Sequence, residues 1–124
     1  MNKRDPKLTV LLFNECINNQ NISDLSRLMD DDYTFIDSEN SVHSGRNLMV
    51  KGWKEFFSLY PDYRNHFTNL VTRDDMVIIQ GYSTCSYEPL DGPAIWTAVI
   101  KNDFVLEWRV YLDTVENRKK LELK

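Results

Sequence analysis

Apolar positions recur at helical spacing in the first half of the chain and alternate in the second half, so the pattern predicts helices first and strands after. Val10, Phe13, Cys16 and Ile17 form one stripe of a helix expected from about Pro6 to Asn19, with proline well placed in its first turn. Asn18-Asn19-Gln20-Asn21 ends that helix, and Ser23 reads as the N-cap of a short second one carrying Leu25, Leu28 and Met29. Between Asp31 and Ser44 lies a short strand that puts Tyr33, Phe35 and Asp37 on one face, because strand side chains alternate with period two. Ser38-Glu39-Asn40 is a turn. Ser44-Gly45 opens a third helix presenting Met49, Trp53, Phe56, Phe57 and Tyr60 at spacings of three and four, and Pro61 stops it.

From there the chain reads as strands. Tyr63 to Thr72 and Met76 to Tyr87 are joined by Arg73-Asp74-Asp75, a hairpin turn; Pro89 to Pro93 breaks the pattern. Ala94 to Lys101 and Phe104 to Asp113 then form a second hairpin around Asn102-Asp103. In the last strand Phe104, Leu106, Trp108, Val110 and Leu112 alternate with Val105, Glu107, Arg109, Tyr111 and Asp113. A two-residue turn would put Trp96 opposite Arg109 and mix the faces. A three-residue loop with a bulge instead pairs Ile100 with Leu106 and Trp96 with Val110, and a one-residue slip flips a whole face, so the bulged hairpin is expected. Trp108 and Val110 should then face the helices, with Val105, Arg109 and Tyr111 outward. Helices grouped first and antiparallel strands after define an α+β fold with helices on one sheet face.

At 124 residues the whole chain, 1–124, is one domain. A net charge of -4 argues against a nucleic-acid binder, which usually carries a basic stripe. Basic residues do gather at Lys3-Arg4 and Arg118-Lys119-Lys120, where they read as solvated tails. No window approaches the roughly 20 apolar residues of a membrane span, and Leu8 to Phe13 is too short for a signal-peptide core. Cys16 and Cys85 are far apart, lack metal-ligand spacing and read as small core residues, so a cytoplasmic protein with reduced thiols and no metal or cofactor is expected.

The chain resembles the SnoaL-like branch of the nuclear-transport-factor-2-like superfamily, which includes polyketide cyclases, ketosteroid isomerases and limonene-epoxide hydrolases. The resemblance covers Leu8 to Asp113. It is carried by Ile22-Ser23-Asp24-Leu25, the strand Asp32-Tyr33-Thr34-Phe35-Ile36-Asp37, the helix start Ser44-Gly45-Arg46, Phe56-Phe57 followed by Pro61-Asp62-Tyr63, and the closing Glu107-Trp108-Arg109-Val110-Tyr111-Leu112-Asp113. It implies a curved antiparallel sheet wrapped around three N-terminal helices, forming a cone with a pocket, commonly paired as a homodimer through the sheet.

Fold does not fix function, so the residues have to be read singly. Asp37 falls where the resemblance places an isomerase's proton-shuttling aspartate, and an apolar setting would raise its pKa and suit it as a general base. The alternative is a solvated strand-end carboxylate that accepts a turn hydrogen bond from Asn40 or Ser41. Isomerases of the family hold an enolate with a tyrosine on the first helix and a protonated acid on a later strand. Here those positions are Phe13 and close to Trp96, which makes steroid isomerisation an unsuitable reaction. The aspartate that epoxide hydrolases place in the closing strand is Val110, and their middle-strand arginine and aspartate have no counterpart in Ile79-Gln80-Gly81-Tyr82. His66 and His43 are the acid–base candidates to stand beside Asp37, His66 on the strand after Tyr63 and His43 before the third helix; SnoaL-like cyclases use an aspartate with a histidine.

Phe13, Phe35, Trp53, Phe56, Tyr60, Trp96, Trp108 and Val110 are the expected pocket lining, suited to a small hydrophobic ligand of aromatic or polycyclic shape. Two functional classes follow: a small-molecule pocket protein, or a cofactor-independent isomerase, cyclase or lyase with Asp37 as base. A dimerisation module acting through the sheet is a third. An enzyme needs a second polar group within reach of the atom Asp37 acts on; a binder needs only apolar walls.

Overall fold

The computed structural model describes residues 4–123. Helix α1 spans Pro6–Asn18, capped by Asp5, whose side chain accepts from the Lys7 amide at 2.9 Å. Pro6 sits in the first turn, where its missing N–H leaves no bond unmade. Helix α2, Ile22–Arg27, begins before Ser23 because Asn21 is its cap, accepting from the Asp24 amide at 3.1 Å. Strand β1 (Met29–Ile36) is followed by β2 (Val42–Ser44) and helix α3 (Arg46–Leu59). The pattern did not predict β2, which is three exposed residues long and exists through its pairing with β1, with Phe35 opposite His43. Gly45 enters α3 at φ +104°, a conformation that disfavours a side chain, and its amide donates to the Tyr33 carbonyl at 2.8 Å.

Strands β3 (Arg64–Arg73), β4 (Met76–Thr84), β5 (Gly92–Lys101) and β6 (Phe104–Leu112) and a short helix α4 (Val115–Lys120) complete the chain. The six strands form one curved sheet in the order β2-β1-β6-β5-β4-β3. The α+β architecture is the expected one, with a refinement: β1 runs parallel to β6, so the sheet is mixed rather than antiparallel throughout. That contact joins strands from opposite ends of the chain, which alternation within either strand does not encode.

The β5–β6 hairpin corrects one expected pairing and keeps another. Its turn has two residues, Asn102 at φ +50° and Asp103 at φ +69°, the left-handed pair that a type I′ turn requires and that Asn and Asp tolerate best. Lys101 therefore faces Phe104 and Ile100 faces Val105, not Leu106. The extra residue lies inside the strand: Leu106 is passed over, after which Ala98 faces Trp108 and Trp96 faces Val110. Displacing the bulge lets Val105 point inward as well, fully buried, where an outward side chain was expected.

Helices α1–α3 cover the concave face. Val10, Phe13, Ile17, Leu25, Met29, Tyr33, Trp96, Val105 and Trp108 pack there with almost no exposed surface. A smaller cluster, Ile78, Ile95 and Leu121, lies on the convex face, where the chain's own C-terminal segment covers part of the sheet. Arg73 fastens that segment by donating to the Glu122 carbonyl at 3.1 Å and to the Leu121 carbonyl, and Arg118 pairs with Asp113 at 2.7 Å. Arg118-Lys119-Lys120 is thus the last turn of α4, where cations suit the helix dipole, rather than a solvated tail. Of the other basic pair, Arg4 donates to Asp103 at 2.9 Å, and Lys3 lies outside the described residues. Cys16 and Cys85 are unpaired, and among the described residues no helix is long and apolar enough to cross a membrane.

Candidate functional site

A cavity of about 440 Å³ opens at the wide end of the cone, between α3 and the concave sheet face. Phe35 from β1, Leu48, Met49, Trp53 and Phe56 from α3, Trp96 from β5, and Trp108 and Val110 from β6 supply its apolar walls. The helical stripe aims one turn of α3 after another at the sheet, and Gly52 between them leaves room that any side chain would fill. Leu90 closes one side from the loop after β4, which is tied down where Asp62 accepts from the Ser86 amide at 2.9 Å and Asp91 from the Cys85 amide at 3.0 Å. The aromatic rings meet edge-on, Trp53 to Phe35 at 6.1 Å and to Phe56 at 5.7 Å between centroids.

Polar groups reach the cavity in two places. At the rim, Asp37 lies just past the end of β1 and His43 on β2, with the imidazole Nε2 at 3.3 Å from Asp37 Oδ2. The Asp37 side chain is 34% exposed, and its Oδ1 accepts from the amides of Glu39 and Ser41 at 2.9 and 3.0 Å. Burial alone would raise its pKa; the Ser41 amide, His43 and the Glu39 amide together outweigh burial and hold the carboxyl below its usual range. This corrects the expectation of a raised value. Asp37 combines both sequence readings, a turn-bonded carboxylate at the strand end that also borders the cavity.

The second polar group is Tyr63, just before β3, with Asn65 on β3 and Ser83 opposite it on β4. Tyr63 and Asn65 line the cavity. Burial pushes the Tyr63 phenol up, partly offset by hydrogen bonding to Ser83 and Asn65. The sequence reading did not single out Asn65, Ser83, Leu48 or Leu90, and it named Met49 in the α3 stripe but not in the pocket lining. A strand containing Asn65 was legible, but an asparagine at a buried position has no periodic signature of its own.

Other expected positions fall elsewhere. His66 is on the convex face, stacked on Tyr82 at 4.7 Å and within 3.2 Å of Thr84 Oγ1, so it is His43 that stands beside Asp37. Phe13 is fully buried beneath the cavity against Trp108, at 4.7 Å, and does not line it. Tyr60 packs on Phe56 and Tyr87 outside the lining. The Tyr33 phenol, pushed up by burial, and the Trp53 indole N–H are neighbours under the cavity floor, neither with a hydrogen-bond partner of good geometry.

A cone of this topology with a cavity at its wide end defines a class, and the comparisons agree. The SnoaL-like domain model matches residues 10–116, so the chain belongs to the SnoaL-like family. Among solved structures, it is similar to a proposed polyketide cyclase from Sinorhizobium meliloti, with 13% identity, 82% of this chain and 92% of that chain covered, and a TM-score of 0.75. An LEH-like epoxide hydrolase from M. tuberculosis aligns at 13% identity over 87% of this chain and 82% of its own, TM-score 0.76. A proposed ketosteroid isomerase from Kribbella flavida aligns at 12% over 89% and 78%, TM-score 0.74. At such identities the likeness is one of fold. No curated protein matches the chain by sequence.

Proposed function

We propose that this protein binds a small, largely apolar, planar molecule in the cavity. The observation that supports this is a recess of about 440 Å³, walled by Phe35, Trp53, Phe56, Trp96 and Trp108, with polar groups confined to two places. That volume is within the range of ligand pockets, and aromatic walls hold flat ligands by area with few anchors. The test is a titration with 1-naphthol, read by tryptophan fluorescence and calorimetry, on the wild type and on Gly52→Leu. A Cβ at Gly52 meets only the Met49 Cε at 3.9 Å, so the larger side chain enters the cavity rather than the backbone. Saturable binding weakened at least roughly tenfold by the substitution, in a folded protein, is the expected result. Binding that Gly52→Leu leaves unchanged places the ligand elsewhere and defeats the reading.

A second reading, acid–base catalysis, is favoured by the 3.3 Å contact of His43 with Asp37. A carboxylate held below its usual pKa is a poor base, so Asp37 would orient the imidazole and stabilise the positive charge it gains when His43 takes the proton. Exchange of the protons next to the carbonyl of 1-tetralone in D₂O, followed by NMR, reports such chemistry. His43→Ala should abolish enzyme-dependent exchange, and Asp37→Asn should keep affinity while slowing exchange by about 10²–10⁴-fold. Exchange at the buffer rate in the wild type sinks the catalytic reading and leaves the binding one standing. Pairing of two copies belongs to the same proposal, through the convex strip of His66, Tyr82 and Arg109, because Leu121 already covers Ile78 and Ile95. Light scattering that gives a monomer mass counts against it.

A further inference from the structure

Asn65 is only 3% exposed and borders the cavity. Its main chain is fully committed to α1: the amide donates to Asn18 Oδ1 at 2.8 Å, and the carbonyl accepts from Asn18 Nδ2 at 2.9 Å and Asn14 Nδ2 at 3.3 Å. Its side chain is committed on one side only. Ser83, directly opposite on β4, donates its hydroxyl hydrogen to Asn65 Oδ1 at 2.8 Å. Tyr63 Oη lies 3.2 Å from Ser83 Oγ. A serine hydroxyl has one hydrogen, already used, so Tyr63 must be the donor in that contact.

The hydrogens therefore run in one direction, from Tyr63 to Ser83 to Asn65, and end on the amide oxygen. With Oδ1 facing Ser83, the two hydrogens of Nδ2 lie on the other side of the amide. One of these hydrogens is shared with the Tyr63 oxygen, and the other has no acceptor among the described residues. Acceptance at Oδ1 polarises the group and strengthens the N–H donor that remains. A buried donor left unmet is costly, so a ligand that brings an acceptor gains what a hydrocarbon cannot.

From this we infer that Asn65 Nδ2 is the anchor for a ligand's carbonyl oxygen, making the cavity selective for a neutral aromatic or polycyclic ketone over a hydrocarbon of the same shape. The inference rests on the cavity being a ligand site. Neutrality follows from the lining, which contains no lysine or arginine to offset the desolvation of an anion and carries Asp37 at the rim. Asn65 is here a specificity-determining residue, positioned by Ser83 and Tyr63.

The test compares 1-tetralone with tetralin, near-identical in shape and differing in the carbonyl. Wild-type protein should bind the ketone roughly ten- to a hundredfold more tightly, the range expected when a buried donor is left unpaired. Asn65→Leu should bring the two affinities together while tetralin binding persists, and Ser83→Ala should narrow the gap without closing it. Should Asn65→Leu fail to fold, the wild type still decides: with ¹⁵N-labelled protein, the Asn65 side-chain amide protons should move downfield with tetralone and stay put with tetralin. Equal affinities in the wild type, a preference that survives Asn65→Leu, or an unmoved amide signal overturns the inference. If neither probe binds, the pocket reading itself falls; if both bind equally, only the carbonyl anchor does.

Discussion

At the closed end of the cone, Phe13 sits between Tyr33 and Trp108 at 6.0 and 4.7 Å between ring centroids and has no exposed surface. At the open end, Trp53 stands at comparable distances from Phe35 and Phe56, yet those three rings border a cavity. Ring spacing does not separate the two regions; what lies behind the rings does. Helix α1 and the β1–β6 pairing back the closed end, whereas the open end has α3 on one side and the Leu90 loop on another. Aromatic content in a cone is therefore no measure of its pocket. The closed end is packed throughout, and the open end leaves a cavity.

Substitutions should separate the two ends. Phe13→Ala removes a fully buried ring from a packed region and should cost about 3–5 kcal/mol, against clearly less for Phe56→Ala, whose ring already borders open space. Urea unfolding measures both, and equal losses would dissolve the distinction. Two glycines extend the comparison. At Gly81 a Cβ would lie 2.1 Å from the His66 carbonyl oxygen, backbone that the β3–β4 bulge brings close, so Gly81→Ala should destabilise by about 1–3 kcal/mol.

At Gly52, inside α3 and beside the cavity, Gly52→Ala should instead stabilise by about 0.5–1 kcal/mol, since a helix interior prefers alanine and the space is free. A thermal melt showing the same sign at both glycines breaks the contrast.

The smallest effect concerns the rim. Asp37 has its pKa lowered in the folded state, so its contribution to stability is present above the unfolded carboxylate value of about 3.9 and is lost as pH falls through the lower folded value. Asp37→Asn should therefore be less stable than wild type near pH 6, with the gap closing in the acid range below about pH 4. Partial exposure keeps the effect modest. Denaturant midpoints at the two pH values measure it, and a gap that widens on acidification contradicts the direction of the shift.

Much of the architecture was legible in the chain. Pro6, the 49-53-56-57 stripe and Pro61 placed two helices, and strict alternation placed β5 and β6, because each pattern is set by the few residues around it. The need for a bulge in the last hairpin was also readable, from the clash of faces; its position was not. Asn102 and Asp103 accept a tight left-handed turn, and that local preference moved the extra residue to Leu106.

By itself, then, the sequence determined which segments are helix or strand and which faces are apolar, since helical and strand periods are properties of the local backbone. Only the tertiary structure decided that His43 rather than His66 meets Asp37, that β1 lies parallel to β6, that Leu121 covers the convex sheet, and that Ser83 meets the Asn65 amide. Each of these joins residues whose meeting depends on sheet curvature and chain closure, and no periodic signal within one segment carries that information.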